Sequence, residues 1–161
     1  MITLLDHVGY FGPLILLLSG IYILRNRSVY IMTYFLGFVL CEQLNRLLKS
    51  IIREPRPDDA IHYTDHDDYT RDTGSNKYGM PSGHAQLAFY CVGFLYSATD
   101  SVRILFGTTA ISLLTLFQRW KFRKHSAKQL LAGSILGIVT GFGAYTLTKW
   151  GLMSNLYTVP K

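Results

Sequence analysis

Charge is scarce in this chain. Asp, Glu, Lys and Arg make up only 16% of its 161 residues, against the ~25% common in soluble domains, so an ordinary solvated surface is hard to assemble from it. Cysteine is nearly absent. Cys41 and Cys91 both fall inside apolar stretches and read as small buried hydrophobes rather than a disulfide. No internal repeat, low-complexity tract or second domain is evident, and the length suits a single domain over 1–161.

What the chain does have is apolar residues, at 49%, and they are bunched. Long runs occupy about 8–24, 29–48, 85–98, 102–118 and 127–149. The third and fourth are short for a ~30 Å hydrocarbon core, which asks for ~20 helical residues. A turn added from each flank, with tilt, makes up the difference. A soluble helical bundle is a poor fit, because segments such as Gly12-Pro13-Leu14-Ile15-Leu16-Leu17-Leu18 have no polar face for water. The expectation is an all-α, polytopic membrane bundle with about five transmembrane helices. The first run is expected to be a retained helix, since Asp6 and His7 precede it in place of a basic leader and no small-x-small cleavage site follows. The net charge of +6 does not imply nucleic acid, because the basic residues flank the apolar runs and no soluble module carries them.

The one long polar stretch, 53–80, opens with Arg53-Glu54-Pro55-Arg56-Pro57, where two prolines stop a helix. It continues through Asp58, Asp59, Asp65, Asp67 and Asp68 and ends at Ser75-Asn76-Lys77-Tyr78-Gly79. His62 and His66 lie among these acids without any recognised ligand spacing, so a solvated loop is expected there rather than a metal site.

Three clusters flank the runs. Lys49-x6-Arg56-Pro57 follows the second, Pro81-Ser82-Gly83-His84 opens the third, and Arg119-x5-His125 joins the fourth to the fifth. Counting crossings brings all three to one membrane face. Arginine offers phosphate a planar charged fork, and lysine a mobile point charge. Ser82, Gly83 and the N–H groups of a helix start form an anion site, with proline suited to the first turn. His84 is placed to give a proton to a leaving oxygen. His125 can act as a nucleophile if one ring nitrogen is held by an acceptor. Gln129, four residues on and on the same helical face, can accept that bond but offers no negative charge to the imidazolium that forms. Each cation taken alone also reads as an interfacial snorkelling side chain. Gly133, Gly137 and Gly141 form a small-xxx-small stripe expected to pack closely against another helix.

Together these clusters, covering about 49 to 133, resemble the type 2 phosphatidic acid phosphatase superfamily. The resemblance implies a metal-independent lipid phosphatase without a cofactor. It implies that His125 attacks phosphorus to give a phosphohistidine and that His84 protonates the leaving group. Lys49, Arg56, Ser82, Gly83 and Arg119 would hold the phosphate. There are two departures: Gln118 stands for the usual serine before the arginine, and Gln129 for the usual aspartate. Glu54-Pro55-Arg56-Pro57, Lys77 to Gln86 and His125-Ser126-Ala127-Lys128-Gln129 are most similar to eukaryotic dolichyl diphosphatases, which also carry that glutamine.

On this branch the substrate is a polyprenyl diphosphate held in membrane lipid, and the site faces the lumen of the endoplasmic reticulum. Charge counting points the other way. Eleven Lys and Arg lie on the motif side and five opposite, which the positive-inside rule reads as a cytoplasmic site. That count is inflated by cations wanted for chemistry, so the branch's orientation is preferred. A broader lipid phosphate phosphatase and a non-catalytic lipid-phosphate binder remain as alternatives.

Overall fold

The described residues of the computed structural model are 2–59, 61 and 77–158, with side chains through Met153. They form helices and irregular connections, with one isolated bridge pair between Pro55 and Tyr78. The helices are α1 (Leu4–Tyr10), α2 (Gly12–Ile23), α3 (Ser28–Ile52), α4 (Gly83–Thr99), α5 (Val102–Lys121) and α6 (Ala127–Thr158). The all-α expectation therefore agrees with the fold.

The first apolar run is not the single helix expected over 8–24. It breaks at Phe11 into α1 and α2, bent by 68°. The reason is local. α1 starts early because Thr3 and Asp6 form a capping box, and Gly12-Pro13 begins a new helix, the proline sitting in its first turn. Asp6 is buried and takes both its oxygens to Lys121 Nζ, at 2.8 and 2.7 Å, which ties α1 to the end of α5.

Elsewhere the helices begin and end as their residues dictate. α3 closes where Arg53 turns left-handed (φ 53°), just before the two prolines. The α4–α5 turn needs only Asp100, again left-handed (φ 49°), and Ser101, whose hydroxyl caps α5.

α4 is the central helix, packed against α2, α3, α5 and, most extensively, α6. The expected glycine stripe makes that last contact. A Cβ on Gly133, Gly137 or Gly141 would run into the backbone carbonyls of Ser82, Gln86 or Tyr90. The core around α4 joins Leu16, Tyr34, Tyr90, Cys91, Phe94 and Leu95, and both cysteines are buried and free. Its aromatic hydroxyls are paired: Tyr34 donates to the Leu16 carbonyl and Tyr90 to the Tyr34 carbonyl, each at 3.0 Å.

Polarity runs inside out on α5. Thr108, Ser112, Thr115, Gln118 and Arg119 are buried, while Phe106, Leu113, Phe117 and Trp120 are exposed. Among the described residues one helix, over Ala127–Met153, is long and apolar enough to cross a membrane, and the bent α1–α2 pair passes the same test if counted as one span.

Candidate active site

The site is built on two joined ends of the polar loop. The Gly79 N–H donates to the Glu54 carbonyl at 2.8 Å, and Pro55 pairs with Tyr78 beside it. This clasp brings Glu54 to Pro57, after α3, next to the segment that enters α4. Below it, Cys41, Asn45 and Lys49 form a buried stripe on α3 at four-residue spacing. Asn45 donates to the Pro81 carbonyl and to Gln86 Oε1, and Gln86 in turn reaches the Cys41 carbonyl. The start of α4 is thus held by hydrogen bonds in a buried setting, where a lost partner is costly.

Pro81 lies outside the first turn of α4, contrary to the sequence-based expectation. The helix begins at Gly83 with Ser82 as its N-cap. The Ser82 side chain makes no capping bond, and its buried hydroxyl has no partner among the described residues. A buried polar atom left unpaired is expected to meet a ligand or water. A Cβ on Gly83 would lie 3.1 Å from Asn45 Oδ1, a tight contact that would press on the Asn45 amide.

The third cluster owes its spacing to a tight turn. Lys124 N–H returns to the Arg119 carbonyl at 2.9 Å, and Arg123 is left-handed (φ 50°). Six residues after Arg119, His125 arrives at the mouth of α6. Ser126 and Gln129 then cap α6 reciprocally: the Ser126 hydroxyl accepts from the Gln129 N–H, and Gln129 Oε1 accepts from the Ser126 N–H, both at 3.3 Å.

The His125 ring is buried, and its Nδ1 faces two acceptors, the Gly79 carbonyl at 3.0 Å and Gln129 Oε1 at 3.2 Å. A nitrogen facing two oxygens must carry the proton, which leaves Nε2 with its lone pair. Burial pushes this imidazole well below the usual histidine range, and Arg56, Lys49 and Arg119 add to that, so it is neutral. Neutral, with Nε2 bare, is the state a nucleophile needs.

The same three cations act electrostatically on His84, so both imidazoles lie within the field of one group of cations. The Arg119 guanidinium contacts His84 Nε2, and Arg56 donates to the Lys124 carbonyl at 3.4 Å. His125 lines a cleft of about 610 Å³ with Pro57, Phe117, Trp120 and Ser126. Phe117 and Trp120 also line an apolar groove of about 600 Å³ that runs on past Leu131 and Ile135. His84 lines a smaller cleft beside Phe11 and Leu87.

Several contributors were not singled out from the sequence. Tyr10 of α1 stands 5.8 Å from the His84 ring and lies under Arg119, whose guanidinium carbon is 4.9 Å from the Tyr10 centroid. Nothing in the sequence links residue 10 to residue 119. Asn45 carried a signal, being one helical turn before Lys49. Gly79 supplies both a carbonyl and clearance, since a Cβ there would overlap the Gln129 amide. Gln118, the departure from the usual serine, is fully buried against Gly9, and neither end of its amide finds a partner among the described residues. No group of three or more His, Cys, Asp or Glu side chains fit for a metal occurs among the described residues, and His62 and His66 lie outside them.

Comparison with known proteins agrees with the motifs. The Dolichyldiphosphatase 1 of Dictyostelium discoideum is 27% identical, covering 85% of this chain and 60% of that protein. Human Dolichyldiphosphatase 1 is 28% identical over 79% of this chain and 56% of its own length. The Dolichyldiphosphatase of Saccharomyces cerevisiae is 28% identical over 77% and 53%. The chain thus spans 60% or less of these curated relatives. No solved structure matches it. The PAP2 superfamily profile covers residues 30–152, which takes in every cluster described above, and the chain belongs to that superfamily.

Proposed function

We propose that this chain is an integral membrane phosphatase that removes the terminal phosphate of a dolichyl or other polyprenyl diphosphate, without a metal, through a phosphohistidine on His125. The observation that carries the proposal is the His125 ring, with Nδ1 committed to two oxygens and Nε2 left unprotonated in a cluster of three cations.

In this mechanism Lys49, Arg56 and Arg119 hold the terminal phosphoryl oxygens, with the Ser82 hydroxyl and the backbone at Gly83. His125 Nε2 attacks phosphorus and the bond to the bridging oxygen breaks. The electron pair leaves on the lipid monophosphate, which takes a proton from His84. His84 then removes a proton from water, which attacks the phosphohistidine, releases inorganic phosphate and restores His125. An arriving diphosphate would draw Arg119 off His84, and its negative charge would favour the protonated imidazole that the first step requires.

The membrane part of the proposal rests on the outward apolar faces. Leu18, Met32, Leu36, Phe106, Leu131 and Val139 are all exposed, whereas polar residues of α5 face inward. That arrangement suits lipid as solvent. Five crossings, with the α1–α2 pair counted as one, would bring the ends of α3 and α5 and the starts of α4 and α6 to a single face. The apolar groove that shares Phe117 and Trp120 with the His125 cleft suits a hydrocarbon chain. The likeness to dolichyl diphosphatases supports a place in the endoplasmic reticulum membrane with the site facing the lumen.

The test is release of phosphate by purified protein from polyprenyl diphosphate and from phosphatidate, side by side, with acid-labile label trapped on His125. Turnover of the diphosphate, lost in His125→Ala and in His84→Ala, is the expected result. Equal turnover of phosphatidate would favour a broader lipid phosphate phosphatase. Binding without any label or release would favour a non-catalytic protein, a reading that draws on the missing carboxylate at Gln129.

A further inference from the structure

Gln129 stands beside the nucleophile where a carboxylate is usual, yet a carboxylate is present one hydrogen bond further away. Gln129 Nε2 donates to Glu54 Oε1 at 3.0 Å and to the Pro55 carbonyl at 2.8 Å. Its Oε1 faces the His125 Nδ1–H and the Ser126 N–H. With two acceptors on one side and two donors on the other, only one orientation of the amide satisfies all four contacts. We infer that Glu54 is a positioning residue for His125, acting through Gln129: its carboxylate orients and polarises the amide, which holds the Nδ1–H tautomer and supports the imidazolium that forms.

The inference rests on the proposed phosphohistidine chemistry for its purpose, though not for its geometry. The amide's electrons shift toward Oε1 when its N–H groups are bound by an anion and a carbonyl, so the bond from His125 strengthens as positive charge grows there. Glu54 is kept ionised: its bonds to Lys128 Nζ at 3.0 Å and to Gln129 hold its carboxyl below the usual range. Its backbone carbonyl also accepts from Gly79, the residue whose own carbonyl is the nearer acceptor for His125. One residue thus stands behind both acceptors of the nucleophile, through its side chain at Gln129 and through its main chain at Gly79.

The experiment uses the full chain in detergent, with folding checked by Tm. Glu54→Gln should lower kcat for polyprenyl diphosphate by about ten- to a hundredfold, the scale known for removing the hydrogen-bond partner behind a metal-bound histidine, with KM nearly unchanged. The decisive variant is the exchange Glu54→Gln with Gln129→Glu, which keeps the 54–129 hydrogen bond with donor and acceptor reversed, gives up the bond to the Pro55 carbonyl, and moves the charge onto the amide position. It should recover part of the activity that Glu54→Gln loses.

A purely structural role for Glu54 predicts no such rescue. Wild-type kcat in folded Glu54→Gln, or an exchange variant no better than the single one, would overturn the inference. A second readout needs neither turnover nor a variant that folds. The ¹⁵N signals of the His125 imidazole in the wild-type protein should report the Nδ1–H tautomer, and an Nε2–H tautomer would also overturn it. Absence of phosphate release by the wild type would instead defeat the phosphatase proposal, leaving the tautomer measurement to judge the relay.

Discussion

Gly79 shows how a backbone position can govern chemistry that its side chain never enters. Its carbonyl is the nearer acceptor for the His125 Nδ1–H, at 3.0 Å, and the missing side chain leaves room for the Gln129 amide. Gly79→Ala should therefore displace Gln129 and tilt the imidazole. We expect kcat to fall by at least about tenfold, since a small misplacement near the reacting atoms can cost ~100-fold. Phosphate release with Tm measured in parallel checks this, and unchanged kcat would refute it. Gln129 itself was legible from the sequence as the orienting acceptor, because four residues is one helical turn. Its second role, closing the α6 cap with Ser126, explains why an amide suits the position: it can accept at Oε1 and donate at Nε2 at once.

At the level of helices, the α4–α6 seam decides how firmly the two halves of the site are held together. α4 carries Ser82, Gly83 and His84 at its start, and α6 carries Gln129 in its first turn. Their glycine contact is close enough that the Ser82 N–H donates to the Gln129 carbonyl at 3.1 Å. Gly137→Ala would drive a methyl group into the Gln86 carbonyl and should cost about 1–3 kcal/mol as overpacking, read as a lower Tm in detergent. Gly143 lies on the same helix, and a Cβ there would meet nothing within 4 Å. Gly143→Ala should leave Tm unchanged or raise it, by about 0.5–1 kcal/mol of helix preference. Equal losses at both positions would remove the special standing of the stripe. The spacing of these glycines announced close packing in advance, but the break between α1 and α2 was hidden inside an unbroken apolar run. Hydropathy is indifferent to a bend, whereas the Thr3–Asp6 cap and Gly12-Pro13 are not.

For the molecule as a whole, an inward-polar, outward-apolar bundle makes a prediction about sidedness. Lys128, exposed beside the site, and Arg25, exposed in the α2–α3 turn, should lie on opposite faces of a membrane. Variants with one added cysteine, Lys128→Cys and Arg25→Cys, in a background where Cys41 and Cys91 are buried, can be challenged with an impermeant thiol reagent in sealed vesicles. One variant should label intact and the other only after permeabilisation. Labelling of both in intact vesicles would argue against the crossings. The same measurement in oriented microsomes reads the lumenal or cytoplasmic placement of the site directly.

Residue types and spacings alone determined the helical class, the approximate helix limits, the buried state of the cysteines, and the gathering of Lys49, Arg56, His84, Arg119 and His125. Those properties follow from local periodicity and from chemistry that few residues can perform. Only the tertiary structure decided the rest: Tyr10 beneath Arg119, Asn45 and Gln86 bracing the start of α4, and Glu54 behind Gln129. These contacts join residues far apart in the chain, from 36 positions between Asn45 and Pro81 to 109 between Tyr10 and Arg119. No repeat distance in a chain encodes which distant side chains meet once helices have packed.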